Sequence, residues 1–300
     1  MNPRVPYRLA PCEDRGLAWA LLSRAALAAP QLVRGLLAVY GPMEAADRLA
    51  SGSADPRFGE HNRGHAREDL ARIAALGGRL LTRDDTAWPA DRLADLDTFD
   101  AAAMAPLALW TRGLGVAWLT ADRAVAVTGS RACTPYGLAV TSDIVSDLAR
   151  HKWTIVSGAG YGVDAEAHRV ALDASAPTIA VLANGLHRPF PPGNADLIAR
   201  LAADGLLVSE YPPGVETAPD RLRARQRLVA ALTAGVVVCE TGIRGSTRGT
   251  AAWAQRLARP LFAVPGPITS AASRGGHDLI RAGHARPVTT GQHIHDALTS

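Results

Sequence analysis

From Ala124 to Val264 the chain alternates short apolar runs with helix-length amphipathic segments, and that rhythm restricts the possible fold more than any other feature of the sequence. Apolar runs of four or five residues are too short for core helices and read as buried strands, while the segments between them carry helical periodicity. Strands are expected at Ala124–Thr128, Thr154–Ser157, Thr178–Leu182, Leu206–Ser209, Val236–Cys239 and Leu261–Val264. Helices are expected near Tyr136–Arg150, Asp164–Ser175, Asn194–Ala203, Arg221–Ala234, Gly249–Leu257 and His293–Leu298. Strands joined through helices pair in parallel and need covering on both faces. The expected class is therefore α/β: an extended Rossmann-like, mostly parallel sheet with helices on both faces, spanning residues 77–300.

The 300 residues leave room for a second, smaller unit. Between Asp14 and Gly52 the stretch LAWALLSRAALAAPQLVRGLLAVYG repeats apolar residues at helical spacing, punctuated by Pro30 and Gly41-Pro42. A small N-terminal helical domain over residues 1–76 follows, readable as a degenerate DNA-backbone hairpin or as a protein-interaction bundle. Polar Ser53–Gly64 is expected as a loop, His65–Leu76 as a helix, and Arg79–Thr82 and Leu107–Thr111 as extended segments.

Charge is modest, +4, but Lys152 is the sole lysine, so the cationic surface is almost all arginine. Guanidinium forks suit phosphate and stack on bases, although a GC-rich genome enriches arginine as well. Cys12, Cys133 and Cys239 are dispersed and form no C-x-x-C pair, which points to no metal site and a reducing compartment. No apolar run approaches the ~20 residues of a membrane span and MNPRVPYRLAPCEDRG lacks a signal peptide's apolar stretch, so a cytoplasmic protein is expected.

Three motifs follow strands, at the sheet edge where ligands bind in such folds. In AVAVTGSRACTPYG a strand runs into Gly129-Ser130-Arg131. Bare backbone N–H groups and an arginine there make either a phosphate site or a plain tight turn. In IVSGAGYGVDAEAHRVAL the glycines Gly158, Gly160 and Gly162 permit close approach of a ligand or simply turn the chain. Asp164 stands where it caps the next helix, and His168, one turn on, is its expected hydrogen-bond partner. The third is the run Arg221, Arg223, Arg225, Arg227 at a helix start, followed by Ile243-Arg244-Gly245-Ser246-Thr247-Arg248 after the next strand. Cations at a helix N-terminus oppose the macrodipole unless an anion neutralises them. Neither G-x-G-x-x-G nor G-x-x-x-x-G-K-[ST] is present.

Taken in order, these motifs together with TIAVLANGL, FPPGN, LVSEYPPG and VPGPITSAASRGGHDLIRAGHA resemble the DprA/Smf family of DNA-processing proteins, most closely over Val125–Ala285. The resemblance implies a non-enzymatic, cofactor-free homodimer that binds single-stranded DNA and loads a RecA-type recombinase onto it during DNA uptake. The DNA-binding residues it implies are Gly129, Ser130, Arg131, Gly158, Gly160, Arg225, Gln226, Arg227, Ser246 and Thr247. Two departures stand out. LRARQRLVA at 222–230 has Leu222 and Gln226 where the family has phenylalanine and asparagine, and Gly245–Arg248 replaces a serine-glycine-serine-leucine turn. No room is expected for the winged-helix module that some relatives append. The rival is a nucleoside-monophosphate phosphoribohydrolase on a similar core, but Pro265-Gly266-Pro267 breaks that class's P-G-G-x-G-T stretch and leaves Glu240 as the one carboxylate near a Gly-Ser-Thr turn.

Overall fold

A computed structural model of the chain describes residues 14–99, 104–245 and 247–300. Three helices come first, α1 (Arg15–Ala25), α2 (Pro30–Ala50) and α3 (Glu60–Ala75), followed by β1 (Gly78–Thr82), a short α4 (Ala90–Ala94) and β2 (Ala108–Gly113). The alternating region then runs β3 (Ala124–Thr128), α5 (Pro135–Arg150), β4 (Thr154–Ser157), α6 (Val163–Asp173), β5 (Thr178–Val181), α7 (Ala195–Asp204) and β6 (Leu206–Ser209). It continues through α8 (Pro219–Ala231), β7 (Gly235–Val238), α9 (Thr247–Arg256), β8 (Leu261–Ala263), α10 (Arg274–Arg281), β9 (Arg286–Pro287) and α11 (Gly291–Thr299).

The strands of the described residues form one nine-stranded sheet in the order β1-β2-β6-β5-β4-β3-β7-β8-β9. From β6 to β9 every pairing is parallel; β1 and β2 are added antiparallel at one edge. Period-two alternation sorts the apolar strand residues. Val125, Val127, Ile155 and Val237 pack with α5, α6 and α11 on one side, whereas Ala124, Ala126, Val156 and Val236 pack with α8 and α9 on the other. The chain enters mid-sheet at β3, winds outward through β4, β5 and β6, then returns to the other side of β3 for β7 and β8. Between β3 and β7 the winding reverses, and this leaves a crevice at their carboxyl ends.

Local signals set the helix ends. Thr134 caps α5 by accepting from the Gly137 N–H at 3.2 Å, Pro135 occupies the first turn, and Lys152 beyond the last turn takes the left-handed conformation, φ 59°. In α2 the Gly41-Pro42 pair breaks the helix, with Gly41 at φ 69°. The polar stretch expected as a loop through Gly64 becomes helical at Glu60. Arg63 there is buried against Asp47 (2.8 Å) and Glu60 (3.0 Å), so tertiary pairing extends the helix into a polar sequence.

The amino-terminal helices share a core with the sheet. Trp19, Leu21, Leu22 and Leu49 lie in one continuous buried cluster with Trp110, Ala180, Leu182 and Leu207. Cys133 and Cys239 are free thiols; Cys12 lies outside the described residues. Among the described residues no helix is long and apolar enough to cross a membrane.

Candidate nucleic-acid interface

The crevice at the winding reversal is a cleft of about 350 Å³ between the turn after β3 and the turn after β7. Gly129, Ser130 and Arg131 line one wall; Gly242, Arg244, Gly245 and Thr247 line the other. Arg131 and Arg244 are exposed, and Thr247 opens the ten-residue helix α9 at the cleft, so two guanidinium groups and a helix N-terminus converge on one space. Gly129 allows the wall to be built, because an added methyl would meet Val163 Cγ2 at 2.5 Å and the Glu240 carbonyl oxygen at 2.8 Å. The Ser130 N–H donates to the Glu240 carbonyl at 2.7 Å, so that backbone donor belongs to the framework and the hydroxyl is what Ser130 offers a ligand. The opposite wall is fixed from beneath, where the Gly275 N–H of α10 donates to the Thr241 carbonyl at 2.9 Å.

The glycine turn after β4 packs beside this cleft. Gly162 has φ 72°, and a methyl there would overlap the carbonyl oxygens of Ser130 and Arg131. The Val163 N–H donates to the Ser130 carbonyl at 3.2 Å, which locks the two turns together. Ala159 is held left-handed, φ 55°, a strained conformation for a residue with a side chain. Asn194 stabilises it through Nδ2, which donates to the carbonyls of Ala159 (3.1 Å) and Gly160 (3.2 Å). Arg225 reaches across Gly158, donating to its carbonyl oxygen, and its buried Nε has no partner among the described residues. Burial presses the Arg225 pKa down, the Asp164 carboxylate opposes this, and the Arg131 charge adds to the lowering. Arginine keeps its proton even so, and the pair Arg131 and Arg225 makes a cationic locus that a phosphate would relieve.

Several sequence expectations need correction. Gly162, not Asp164, occupies the cap position of α6; the Asp164 carboxylate instead accepts from the Gly160 N–H (3.3 Å) and from Thr128 Oγ1 (3.2 Å), bracing the turn. His168 pairs with Thr178, not Asp164: its Nδ1 lies 2.8 Å from Thr178 Oγ1. The Thr178 hydroxyl already donates to the Ile155 carbonyl, so His168 Nδ1–H is the donor and Nε2 is a buried lone pair without a partner among the described residues. Burial, with the nearby Arg225 charge second, lowers the His168 pKa to about 3.

Arg227 is not in the cleft. It is buried, with Nη1 and Nη2 donating to the two Glu210 carboxylate oxygens at 2.8 and 2.6 Å, and Nε to the Met104 carbonyl at 3.2 Å. Burial alone would raise the Glu210 pKa, but the charge and hydrogen bonds of Arg227 outweigh it and hold the carboxyl below its ordinary range. Gln226 is also buried, its amide filling the space above Gly249 of α9. Neighbouring positions on a helix point in different directions, so of Arg225, Gln226 and Arg227 only Arg225 reaches the turns. Arg221 lies over the Tyr211 ring, 5.6 Å from its centre, and donates to the Glu216 carbonyl. Ser246 lies outside the described residues. Arg244, Asn194 and Tyr161 lay within the motifs read from the sequence but not among the expected DNA-binding residues. Arg244 sits inside the stretch joining β7 to the Gly-Ser-Thr-Arg turn, whereas Asn194 joins only through a separate loop.

A model of the DNA recombination-mediator protein A family matches residues 79–299. The chain belongs to that family. A Mycobacterium tuberculosis relative bearing the DprA name is 43% identical over 275 residues, 89% of this chain and 71% of the relative. The X-ray structure of DNA processing protein A from Streptococcus pneumoniae superimposes with a TM-score of 0.76 at 28% identity, covering 93% of this chain and 96% of that one. The Helicobacter pylori protein A structure, described for its single-stranded DNA binding mode, gives a TM-score of 0.64 at 27% identity, with 74% of this chain and 95% of that chain covered. The α/β architecture expected from the strand-helix rhythm is that of the DprA structures, and the resemblance to the DprA/Smf family is membership.

Proposed function

We propose that the chain binds single-stranded DNA along the carboxyl edge of its parallel sheet and acts without catalysis. One observation carries the reading: Arg131, Arg244 and the N-terminus of α9 converge on the crevice where the sheet's winding reverses, with the Arg225 guanidinium one turn away. A polyanion held there would be read through its phosphates first, with a salt dependence that follows from counterion release. The binding mode described for the Helicobacter pylori relative supports the choice of single strand as ligand. Family membership supports the wider reading of a cytoplasmic homodimer that delivers the strand to a RecA-type recombinase in DNA processing and uptake.

The phosphoribohydrolase alternative needs a carboxylate facing the cleft. Glu240 is instead turned to the start of α5, where its carboxylate oxygens accept from the Thr134 N–H and Oγ1–H, each at 2.7 Å. Fluorescence anisotropy with a labelled oligonucleotide, single-stranded against duplex, tests the proposal. Tighter binding of the single strand, with no base released from nucleoside monophosphates, is the expected outcome; absence of single-strand binding by the folded chain, or release of free base, refutes it.

A further inference from the structure

Resting on the single-strand reading above, we propose that Tyr161 is a stacking platform for one nucleobase and makes the interface prefer single strands to duplex. Among the phenylalanines, tyrosines and tryptophans of the described residues three are exposed: Tyr40, Tyr136 and Tyr161. The Arg48 guanidinium covers the Tyr40 ring at 3.8 Å, and Tyr136 is tied to the Pro265 carbonyl through its hydroxyl. Tyr161 alone sits on a ligand-side glycine turn, between Gly160 and Gly162, and is 45% exposed.

Its placement is rigid. The phenolic oxygen accepts from the Gly193 N–H at 3.3 Å, and the ring lies so close to Gly193 that an added methyl would meet the hydroxyl at 2.8 Å and Cε1 at 3.0 Å. The next residue, buried Asn194, ties that segment back to the same glycine turn through Ala159 and Gly160. The ring is thus held at its far end and at its backbone, so ordering it on binding costs little conformational entropy. Gly162, immediately after Tyr161, packs on the carbonyls of Ser130 and Arg131, so the turn that carries Tyr161 adjoins the turn that forms one wall of the arginine-lined cleft.

Phosphate contacts at Arg131 and Arg244 are available to any nucleic acid. A π-face is useful only to a base not already stacked within a duplex, and base–aromatic stacking is worth roughly five- to hundred-fold in affinity per base. Affinity and salt dependence therefore reside in the arginines, and strand selectivity in Tyr161.

The test measures dissociation constants of the wild type, Tyr161→Ala, Tyr161→Leu and Tyr161→Phe for three probes: an oligothymidylate, an abasic strand with the same number of phosphates, and a duplex. The wild type is expected to bind oligothymidylate at least about five-fold more tightly than the abasic strand. Alanine and leucine should erase most of that preference and of the single-strand-over-duplex ratio, leave abasic binding within about two-fold, and keep the salt slope; phenylalanine should retain both preferences. Leucine preserves bulk if alanine perturbs the turn. Equal wild-type affinity for the two single strands, or losses in the leucine variant that are the same on both, overturns the assignment. A wild-type chain that binds neither single strand instead refutes the single-strand reading itself.

Discussion

Side chains two positions apart in one sequence run do opposite things here. Arg225 lies across Gly158 in the turn after β4, and Arg227 is buried in a two-pronged ion pair with Glu210. Arg227→Ala would leave Glu210 buried without its partner. It is expected to cost about 3–5 kcal/mol of stability with no change in salt slope for the folded fraction, measured by urea unfolding and by titration. His168 adds a pH dependence. Its folded pKa of about 3 lies below the ordinary value near 6.5, so the unfolded chain takes up the proton first as pH falls. Its contribution is fully present above about pH 6.5 and is lost on acidification toward pH 3, at up to about 1.4 kcal/mol per pH unit. Between pH 7.5 and 5 the wild type should lose about 2 kcal/mol more than His168→Asn; equal losses in urea midpoints would rule the histidine out as the source.

The elements that position the site are turns, and their glycines differ in how replaceable they are. Gly162 combines φ 72° with carbonyl oxygens where a methyl would be. Gly162→Ala should therefore separate the turns after β3 and β4, lowering stability by at least about 1–3 kcal/mol and weakening strand binding beyond what unfolding explains. Gly245→Ala should leave stability unchanged, since nothing lies within 4 Å of a methyl there. The strands were legible in the sequence because short apolar runs alternated with helix-length amphipathic segments. Six expected strands lie within a residue or so of β3 to β8. The helix α10 was not legible, because Gly275 and Gly276 have poor helix propensity; Gly275 is required because its backbone packs directly on Gly242. The clustering of GSR, the glycine turn and the β7–α9 turn was legible from their shared position after strands. The separation of Arg225 from Gln226 and Arg227 was not, since it depends on which face of α8 meets the sheet.

At the scale of the whole molecule, the nine-stranded sheet places its winding reversal and the exposed Arg131 and Arg244 on one edge. The amino-terminal helices serve this arrangement as part of the core, burying Trp19 and Leu22 in the same cluster as Trp110 and Leu207 of the sheet. Arg123, just before β3, stands at the opposite edge of the sheet and is exposed, and Arg57 lies far along the chain in the segment before α3. They carry the same charge as Arg131 and Arg244 without facing the cleft, which makes them the appropriate comparison. The decisive measurement is the slope of log affinity against log salt for a single-stranded oligonucleotide. Replacing Arg131 and Arg244 together by alanine should make that slope shallower by roughly 1.4, at about 0.7 for each phosphate no longer neutralised, while replacing Arg57 and Arg123 leaves it unchanged. Equal slopes for the two double variants, both folded, would mean that the strand does not lie in the cleft between β3 and β7.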